Sequence, residues 1–378
     1  MECGGMKIVI TGAGGLIGWH AAVRVHAANC AAQFKGTATP YDLVMLDHSG
    51  FDDDAALHAA ITGADAVLHF AGVNRAPDDV VEAANPTIAR RLAEACSITK
   101  SRPHVVYANS THATSDTPYG RSKRIAGEIL SGIGGRYSEL VLPHIFGEGA
   151  RPRYNNVTAT FIEAVIAGET PEINPEGRVS LLHAGAAAQA ALEAIIEGQT
   201  GTLRPASRDI AVKELFDLLW RFHSDYQGNI YPDLQDPFTV ALFNSYRAAL
   251  YPDGFPRPLK LSTDTRGTLF EAVKGGGGGQ TFLSTTIPGV TRGDHFHLNK
   301  VERFLVVQGE AVIRIRKVLS DEVWEYRVSG TAPAPVDMPS LHTHSIENVG
   351  DTELLTLFWT HDLFDPASPD TFADKVLK

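Results

Sequence analysis

The first two-thirds of the chain alternate short apolar runs with segments whose apolar residues recur every three or four positions. Runs rich in Val, Ile and Leu predict strands, and the longer periodic segments predict helices between them. The predicted strands are MKIVITG, YDLVMLD, ADAVLHFAG and PHVVYANST, and the helical segments include LIGWHAAVRVHAA and NPTIARRLAEAC. Because strands that alternate with helices are joined by right-handed crossovers, we expect an α/β domain with a doubly wound parallel sheet.

The hydrophobic pattern changes after residue 255. Its period shortens to about two, and runs of Val, Ile, Phe and Thr are divided by Gly, Pro and Asp, which predicts an all-β domain. The stretch YPDGFPRP holds three prolines and one glycine in eight residues, and this punctuation marks the predicted boundary. A chain of 378 residues also exceeds the size of most single cores. We therefore expect two domains, residues 1–255 and residues 256–378.

Composition limits the possible partners. With 44% hydrophobic and 20% charged residues, the chain has the make-up of a globular protein. A net charge of −11 disfavours nucleic acid or an anionic membrane as the partner, although a local pocket can still hold a small anion. Three widely spaced cysteines suit a reducing compartment without disulfides. No stretch approaches the roughly 20 apolar residues that cross a bilayer, so we expect a cytoplasmic protein.

Three glycines, Gly12, Gly15 and Gly18, follow the first predicted strand and open the first predicted helix. In that position two glycines let the backbone turn tightly beside a pyrophosphate, and the third lets helix and strand pack closely. A glycine triplet alone often marks only a turn, but its place between a strand and a helix favours a Rossmann-like dinucleotide site.

Asp47 closes the second predicted strand, where its carboxylate would accept hydrogen bonds from ribose hydroxyls and repel a 2′-phosphate. This favours NAD over NADP. Two alternatives stay open: Asp47 caps the loop DHSGFDDD, or His48 and Ser49 accommodate the 2′-phosphate.

The stretch YGRSK places Tyr119 and Lys123 four residues apart, on one face of a predicted helix. A nearby ammonium would lower the pKa of the tyrosine, which would then exchange a proton with a substrate oxygen near neutral pH. Ser110, with Thr111 as the substitute, ends a predicted strand and would contact the same oxygen. Such a Tyr/Lys pair is otherwise most often a surface pair, and the preceding glycine turn is what favours the catalytic interpretation.

These motifs, together with HFAGVNR, resemble the extended branch of the short-chain dehydrogenase/reductase (SDR) superfamily over roughly residues 6 to 255. The resemblance implies catalytic roles for Ser110, Tyr119 and Lys123, and NAD(H) or NADP(H) as the cofactor. The implied cofactor-binding residues are Gly12, Gly15, Leu16, Ile17, Gly18, Asp47, Ala71, Gly72, Tyr119 and Lys123.

The SDR resemblance also has a departure. LLHAGAAAQAA stands where that family often carries a Tyr-Val-Asp-Asp-like stretch, which removes one clue to the substrate pocket. The loop RPRYNNVTATF remains, and two interpretations are open for it. It is either a solvated basic loop or a set of contacts to phosphates and sugar hydroxyls, through Arg151, Arg153, Asn155 and Asn156.

A pattern typical of metal ligands lies in the second part. His295 and His297 are two apart on a predicted strand and so share a face, and Glu302 begins the next strand. PSLHTHSIEN supplies a further histidine, His344 by spacing or His342 as the substitute. Isolated histidines are more often core or surface groups, but this set in an all-β context favours a metal, most simply zinc.

The order of glycines, histidines and glutamate from Gly289 to Gly309 is similar to the first motif of the cupin superfamily. The second motif fits more loosely, because Leu341 stands where a glycine is usual. The resemblance implies an all-β jelly-roll barrel that holds a divalent metal through His295, His297, Glu302 and His344. DTRGTLFEA and PGVTRGDHFH are also similar to non-metal nucleotide-sugar 3,5-epimerases, which use a histidine base at the position of His295.

An SDR domain followed by such a cupin resembles the CapF type of bifunctional capsular polysaccharide enzymes over nearly the whole chain. That resemblance implies a homodimer acting on a UDP-linked 4-keto-6-deoxy (amino) sugar, whose C3 the cupin inverts and whose C4 ketone the reductase domain reduces with NAD(P)H. Two alternatives are an epimerase or dehydratase that recycles bound NAD, and a nucleotide-sugar-binding protein with a structural metal.

Overall fold

A computed structural model describes residues 5–265, 267–275 and 277–378. The chain divides into two compact units: Met1–Thr160 with Asn174–Val212, and Phe161–Ile173 with Lys213–Lys378. Among the described residues, every helix is too short or too polar to span a lipid bilayer. Cys30 and Cys96 are buried free thiols, and Cys3 lies outside the described residues.

The first unit contains the parallel sheet that the sequence predicts. Its strands are β1 (Met6–Thr11), β2 (Tyr41–Leu46), β3 (Ala66–His69), β4 (His104–Ser110), β5 (Tyr137–Leu142), β6 (His144–Phe146), β7 (Arg178–His183), β8 (Gly201–Leu203) and β9 (Arg208–Ala211). Its helices are α1 (Leu16–Phe34), α2 (His48–Asp52), α3 (Asp54–Ile61), α4 (Asp78–Thr99), α5 (Pro118–Ser131), α6 (Val157–Ala167), which ends in the second unit, and α7 (Ala184–Ile196). Six strands form a parallel sheet in the order β2-β1-β3-β4-β5-β8, and β6, β7 and β9 form a smaller sheet. The Rossmann-like prediction is confirmed.

The strand order positions the predicted nucleotide site. Strand β3 is buried along its whole length, as expected for a parallel strand covered by helices on both faces. The chain winds outward in opposite directions from β1 and β3, so a crevice opens at the carboxyl ends of these two neighbours. The glycine-rich turn follows β1, and Ala71 and Gly72 follow β3.

The second unit is rich in antiparallel strands. It contains α8 (Val212–Gln227), β10 (Ile230–Tyr231), α9 (Pro237–Ala248), β11 (Ser262–Asp264), β12 (Gly267–Leu269), β13 (Lys274–Gly275), β14 (Gln280–Thr286), β15 (Thr291–Phe296), β16 (Glu302–Gln308), β17 (Glu310–Lys317), β18 (Val323–Ser329), β19 (Val336–Met338), β20 (His342–Asn348), β21 (Leu354–Thr360) and β22 (Phe372–Ala373). Its two larger sheets run β14-β21-β16-β19 and β18-β17-β20-β15-β22. A sheet-rich C-terminal part is confirmed. The described strands form no closed barrel, so the jelly-roll barrel stays a prediction.

The compact units differ from the predicted domains, because residues 213–255 belong to the second unit and not to the first. Helix α8 buries Leu215, Phe222 and Tyr226, and Tyr226 stacks edge-on against Phe243 of α9. The proline-rich stretch after Tyr251 therefore lies inside a packed unit. The proline-rich stretch marks the end of α9, but α8 and α9 contact strands that follow it in the sequence.

A buried ion pair connects these helices to the strands. Arg303 of β16 donates two hydrogen bonds to Asp337 of β19, from Nε at 2.6 Å and from Nη2 at 2.8 Å, and the two side chains are 1% and 0% exposed. Tyr226 of α8 donates its hydroxyl to the same carboxylate, and Arg247 of α9 donates to the carbonyl of Met338 at 3.1 Å. Arg303 and Asp337 are thus paired where water is excluded.

We predict that Asp337→Asn destabilises the protein by about 3–5 kcal/mol, because it leaves the buried Arg303 charge without a counter-charge. Urea unfolding monitored by tyrosine and tryptophan fluorescence measures the change. Asp321→Asn is the matched control, since Asp321 pairs with Lys378 at the surface and should unfold like the parent. Equal behaviour of the two variants would contradict the prediction.

Candidate functional site

The glycine-rich turn is closed on one side and open on the other. Gly12 has a φ of +68°, and a Cβ there would lie 2.7 Å from the backbone nitrogen of Ala71. A Cβ on Gly18 would lie 2.1 Å from the carbonyl oxygen of Gly12. Around Gly14, by contrast, no described atom lies within 4 Å of the Cβ position. The turn therefore packs against the end of β3 and leaves a cradle of backbone on its other side.

The start of α1 suits an anion. Gly15 is the N-cap residue, and no described side chain caps the helix there. Leu16 and Ile17 form the first helical turn, whose first N–H groups lack carbonyl partners within the helix. Such N–H groups and the helix dipole favour a phosphate. The residues present therefore fit the pyrophosphate of a dinucleotide.

Asp47 has a local structural role. Its Oδ1 accepts hydrogen bonds from the Gly50 N–H and from the Ser49 hydroxyl, both at 2.8 Å, and so caps α2. The hydrogen bond from Gly50, followed by that from Ser49, lowers the pKa of this exposed carboxyl. Capping, one of the two alternatives left open by the sequence, is what the structure displays at this residue. The side chain still ends β2, where a ribose would be bound.

Ser110, Tyr119 and Lys123 lie at the end of β4 and in the first turns of α5. The Ser110 hydroxyl lies near enough to the Tyr119 phenol to lower its pKa, and it accepts the His112 N–H at 3.2 Å. Thr111, the substitute for Ser110, is exposed and begins a short 3-10 turn. The structure thus places Ser110 beside the tyrosine.

The predicted effect of Lys123 on Tyr119 is wrong. Burial raises the pKa of Tyr119, and the Ser110 hydrogen bond offsets this only in part. The Lys123 ammonium donates to the Ala108 carbonyl and lies 4.2 Å from the centre of the Tyr107 ring. Sequence spacing predicts a shared helix face but not that a carbonyl and a ring on β4 compete for the ammonium.

Lys123 is itself perturbed. Burial lowers its pKa to about 7, while the charge of Glu139 opposes that shift. Glu139 also accepts a hydrogen bond from Nδ2 of Asn109 at 2.6 Å, and Oδ1 of Asn109 accepts the Ser110 N–H at 2.8 Å. The Glu139 carboxylate therefore affects both residues. It holds Asn109, which accepts the Ser110 N–H, and its charge favours the protonated form of Lys123.

A cleft of about 530 Å³ opens in the first unit beside Thr111 and His112. His144, Arg178 and Arg204 also line it. Sequence reasoning missed both arginines, because each is a single basic residue at the end of a short strand, and only the fold brings them together.

The loop that the sequence singled out is organised differently from a phosphate site. Asn155 donates to the Asn74 carbonyl at 2.8 Å, and Asn156 accepts the Ala159 N–H at 3.0 Å near the start of α6. Arg151 and Arg153 are exposed. None of these four residues lines the cleft among the described residues.

The second unit brings together His295, His297, Glu302 and His344. One ligand atom from each lies within 4.8 Å of those of the other three. Nε2 of His297 and Nε2 of His344 lie 3.0 and 3.2 Å from Oε2 of Glu302. His295 and His344 face each other across paired strands, with ring centres 4.7 Å apart. The four residues come from three strands and the loop after β15.

His342, the alternative to His344, lies elsewhere. Its Nδ1 hydrogen-bonds the Ser340 carbonyl at 2.8 Å, and its ring stacks on Trp324 at 5.5 Å. Residues 342 and 344 are two apart on β20 and so share a face, but only His344 reaches the cluster of the described residues.

The donor set fits a divalent metal ion. Nδ1 of His297 and Nδ1 of His344 hydrogen-bond the carbonyl oxygens of Asp370 and His342, at 2.5 and 3.1 Å. Since a carbonyl only accepts, each Nδ1 carries the proton, and each Nε2 is directed at Glu302. Nε2 of His344 is buried and makes no regular hydrogen bond within the described residues. A ring nitrogen that donates to a carbonyl while the other faces the site is typical of metal-binding histidines.

Electrostatics in the cluster follow from burial and from one carboxylate. Burial lowers the pKa of His295 to about 3 and also lowers that of His344. Burial opposes charge on His297 as well, but the Glu302 carboxylate raises the pKa of this imidazole above its usual value. Burial works against ionised Glu302, yet the imidazoles hold its pKa well below the usual range. Glu302 is thus anionic and His295 neutral at physiological pH, as metal ligation requires.

A second group with metal-binding side chains, His20, Glu148 and His183, lies in the first unit. Nε2 of His20 lies 3.0 Å from the Glu148 carbonyl oxygen. Burial lowers the pKa of His20 to about 3, so its ring is neutral. Because the carbonyl accepts, Nε2 carries the single proton and has no lone pair for a metal. This group is a hydrogen-bonded network, with Nε2 of His183 bonded to the Glu148 carboxylate at 2.8 Å.

Comparisons with known proteins agree with both halves of the chain. Residues 8–203 match the NAD dependent epimerase/dehydratase family, and residues 262–372 match the polysaccharide biosynthesis C-terminal domain. A Pseudomonas aeruginosa PA103 protein named UDP-2-acetamido-2,6-beta-L-arabino-hexul-4-ose reductase is 30% identical over 383 residues, which cover 98% of this chain and 99% of the relative.

Solved structures give the same result. The capsular polysaccharide assembling protein CapF from Staphylococcus aureus is 30% identical, with a TM-score of 0.57, over 98% of this chain and 100% of that one. CapF with the inhibitor 3-isopropenyl-tropolone is 29% identical, with a TM-score of 0.56 and the same coverage. With the parallel sheet, the glycine-rich turn and a relative aligned along nearly its full length, the chain belongs to the NAD dependent epimerase/dehydratase family.

Proposed function

We propose that the chain is a bifunctional nucleotide-sugar enzyme of surface polysaccharide biosynthesis. Its substrate is a UDP-linked 4-keto-6-deoxy (amino) sugar, whose C3 centre is inverted at the histidine cluster and whose C4 ketone is then reduced in the first unit. The closeness of Ser110 to Tyr119, with Lys123 in the next turn of the same helix as the tyrosine, carries this proposal. The reductase named among the relatives supports it, because a hexul-4-ose carries the same ketone.

In reduction, Tyr119 protonates the oxygen of the former ketone. NAD(P)H, once held by the glycine-rich turn and α1, supplies the hydride. Since burial keeps the Tyr119 phenol protonated, the residue acts as a proton donor. Ser110 orients that phenol and the substrate oxygen. Lys123, four residues further along α5, supplies positive charge when it is protonated. Asp47 favours NADH and the SDR resemblance favours NADPH as the reductant.

The cleft beside Thr111 is the place for the rest of the substrate. Arg178 and Arg204 line it, and within the described residues neither is engaged in an ion pair. Two guanidinium groups without carboxylate partners suit a diphosphate, which they bind in a bidentate manner. In an acidic protein such a local positive patch selects a small anionic substrate.

Epimerisation needs a base and a way to stabilise negative charge. A proton on the carbon next to a ketone is acidic enough for a positioned base to remove it, and the enolate is then reprotonated on the other face. His295, His297, Glu302 and His344 would hold one divalent ion, most simply Zn²⁺, which supplies positive charge for the enolate oxygen. His295 is the least buried of the four. Its two candidate roles, metal ligand and proton-transferring base, both make it necessary for epimerisation.

The cupin-type barrel, a cytoplasmic location and a homodimer complete the proposal. The cluster of ligands on two antiparallel sheets supports the barrel, and NAD(P)H as the reductant is consistent with the cytoplasm.

We predict that Tyr119→Phe lowers kcat for reduction about 100- to 10,000-fold with little change in KM, because the alkoxide loses its proton donor. Oxidation of NAD(P)H with a UDP-4-keto sugar measures this. Tyr154→Phe, at an exposed tyrosine, is the control and should retain the parent rate. Reduction by Tyr119→Phe at the parent rate would show that another group supplies the proton.

We predict one equivalent of a divalent metal, most simply zinc, per chain in protein purified without chelators. Elemental analysis measures it, and Glu302→Ala should lose the metal because it removes the carboxylate that faces both Nε2 atoms. His342→Gln should keep the metal. Less than about a tenth of an equivalent in the parent would contradict the site, given the strong affinity of four-ligand sites.

We predict that the two reactions separate by mutation in the full-length protein. The double variant His295→Ala, His297→Ala should lose exchange of the C3 proton in deuterated water, yet reduce a ketone that already has the inverted C3 centre. Tyr119→Phe should do the opposite. Proton and deuterium NMR of the sugar follows both reactions, after circular dichroism has shown that each variant is folded. Exchange that survives in the histidine variant and disappears in Tyr119→Phe would place the epimerase in the first unit.

A further inference from the structure

The C-terminal segment crosses the loop that carries His297. Strand β22 pairs with β15, with Phe372 opposite Phe296 and Ala373 opposite His295. Just before β22, Asp370 adopts a left-handed backbone conformation with a φ of +42°. A non-glycine residue in that region is uncommon and needs local support. Its own side chain provides such support.

The Asp370 carboxylate closes the loop after His297. Its Oδ1 accepts the Leu298 N–H, and its Oδ2 accepts the N–H groups of Asn299 and Lys300, all at 2.9 Å. Three successive backbone donors therefore bind one carboxylate, and charge-assisted bonds of this kind are stronger than neutral ones. Lys300 adds a bond from its ammonium to the Pro369 carbonyl at 2.8 Å. The loop from 298 to 300 and the segment around Asp370 are thus fixed to each other.

The same residue contacts the imidazole of His297. The Asp370 carbonyl oxygen lies 2.5 Å from Nδ1, and the Thr371 hydroxyl lies at 3.5 Å. Because the carbonyl only accepts, Nδ1 carries a proton. Nε2 then points at Glu302, 3.0 Å away. The side chain of Asp370 binds the loop, and these bonds fix the position of its backbone carbonyl. That carbonyl in turn sets the orientation of the His297 ring.

We propose that Asp370 is a positioning residue for His297: its carbonyl holds a proton on Nδ1 and so presents Nε2 to the metal and Glu302. This rests on the proposed function, in which the histidine cluster binds the metal and performs the C3 chemistry. Removal of a group that hydrogen-bonds a metal ligand typically lowers metal affinity or activity about 10- to 100-fold.

The rest of the segment is anchored without the Asp370 carboxylate. Arg316 donates to Asp374 at 2.8 Å and to the Val376 carbonyl at 3.0 Å, and Thr343 donates to Asp374 at 2.6 Å. Phe372 also stacks on Phe296 at 5.3 Å. Substitution of Asp370 should therefore release the loop and the ring while β22 stays in place.

The test compares Asp370→Ala, Asp370→Asn and the control Asp365→Asn, whose parent carboxylate only accepts the Ala367 N–H. In metal-free full-length protein with ¹⁵N-labelled histidine, long-range ¹H–¹⁵N spectra report the protonated nitrogen of His297, assigned by its loss in His297→Gln. Asp370→Ala should lose the hydrogen-bonded Nδ1–H signal of His297 and bind Zn²⁺ about 10- to 100-fold more weakly. Asp370→Asn keeps one acceptor oxygen for the loop but turns an NH2 donor toward the remaining N–H groups, so it should fall between the parent and Asp370→Ala. The control should match the parent.

An unchanged His297 signature and unchanged Zn²⁺ affinity in Asp370→Ala would overturn the proposal, as would the same loss in Asp365→Asn. Unfolding of both Asp370 variants would also overturn it, because that would show a role in stability and not in positioning. The metal-free spectra test the inference even if the parent protein shows no C3 exchange, a result that would count against the proposed function alone.

Discussion

The organisation of the second unit depends on two adjacent charged residues of one strand, Glu302 and Arg303. Successive side chains of a strand point to opposite faces of the sheet. Glu302 reaches three imidazoles on one face, while Arg303 reaches Asp337 beneath α8 and α9 on the other. Each charge is buried and each is paired, so neither face tolerates loss of its partner. Strand β16 therefore links the histidine cluster to the helices that complete the unit.

The organisation of the first unit depends on close backbone contact at the glycine-rich turn. Gly12 and Gly18 admit no Cβ because the end of β3 and the turn itself occupy the space. That contact fixes the start of α1 beside the crevice between β1 and β3. Tyr119 and Lys123 owe their properties to burial: one is kept protonated and the other has a pKa of about 7. The same burial that stabilises the domain thus gives the two groups the pKa shifts on which the proposed proton transfer depends.

The sequence predicted what depends on local pattern. The parallel sheet followed from alternating periods, and the approach of His295, His297 and Glu302 followed from spacing on adjacent strands. What it missed depends on contacts distant in sequence. Asp370 lies 73 residues from His297, the cleft joins Arg178 and Arg204 from separate strands, and α8 and α9 belong with strands beyond the proline-rich stretch. The spacing of Tyr119 and Lys123 also predicted a lowered Tyr119 pKa where burial raises it. Residue spacing carries no information on how deeply a side chain is buried.

The central claim is that two chemically different sites act on one sugar in sequence. The most direct measurement is the isotopic content of the final product when the full-length protein converts a UDP-4-keto-6-deoxy sugar with NAD(P)H in deuterated water. We expect one deuterium at C3 in every reduced molecule, with a deuterated, C3-inverted ketone appearing before the alcohol. A reduced product that retains hydrogen and the original configuration at C3 would contradict it.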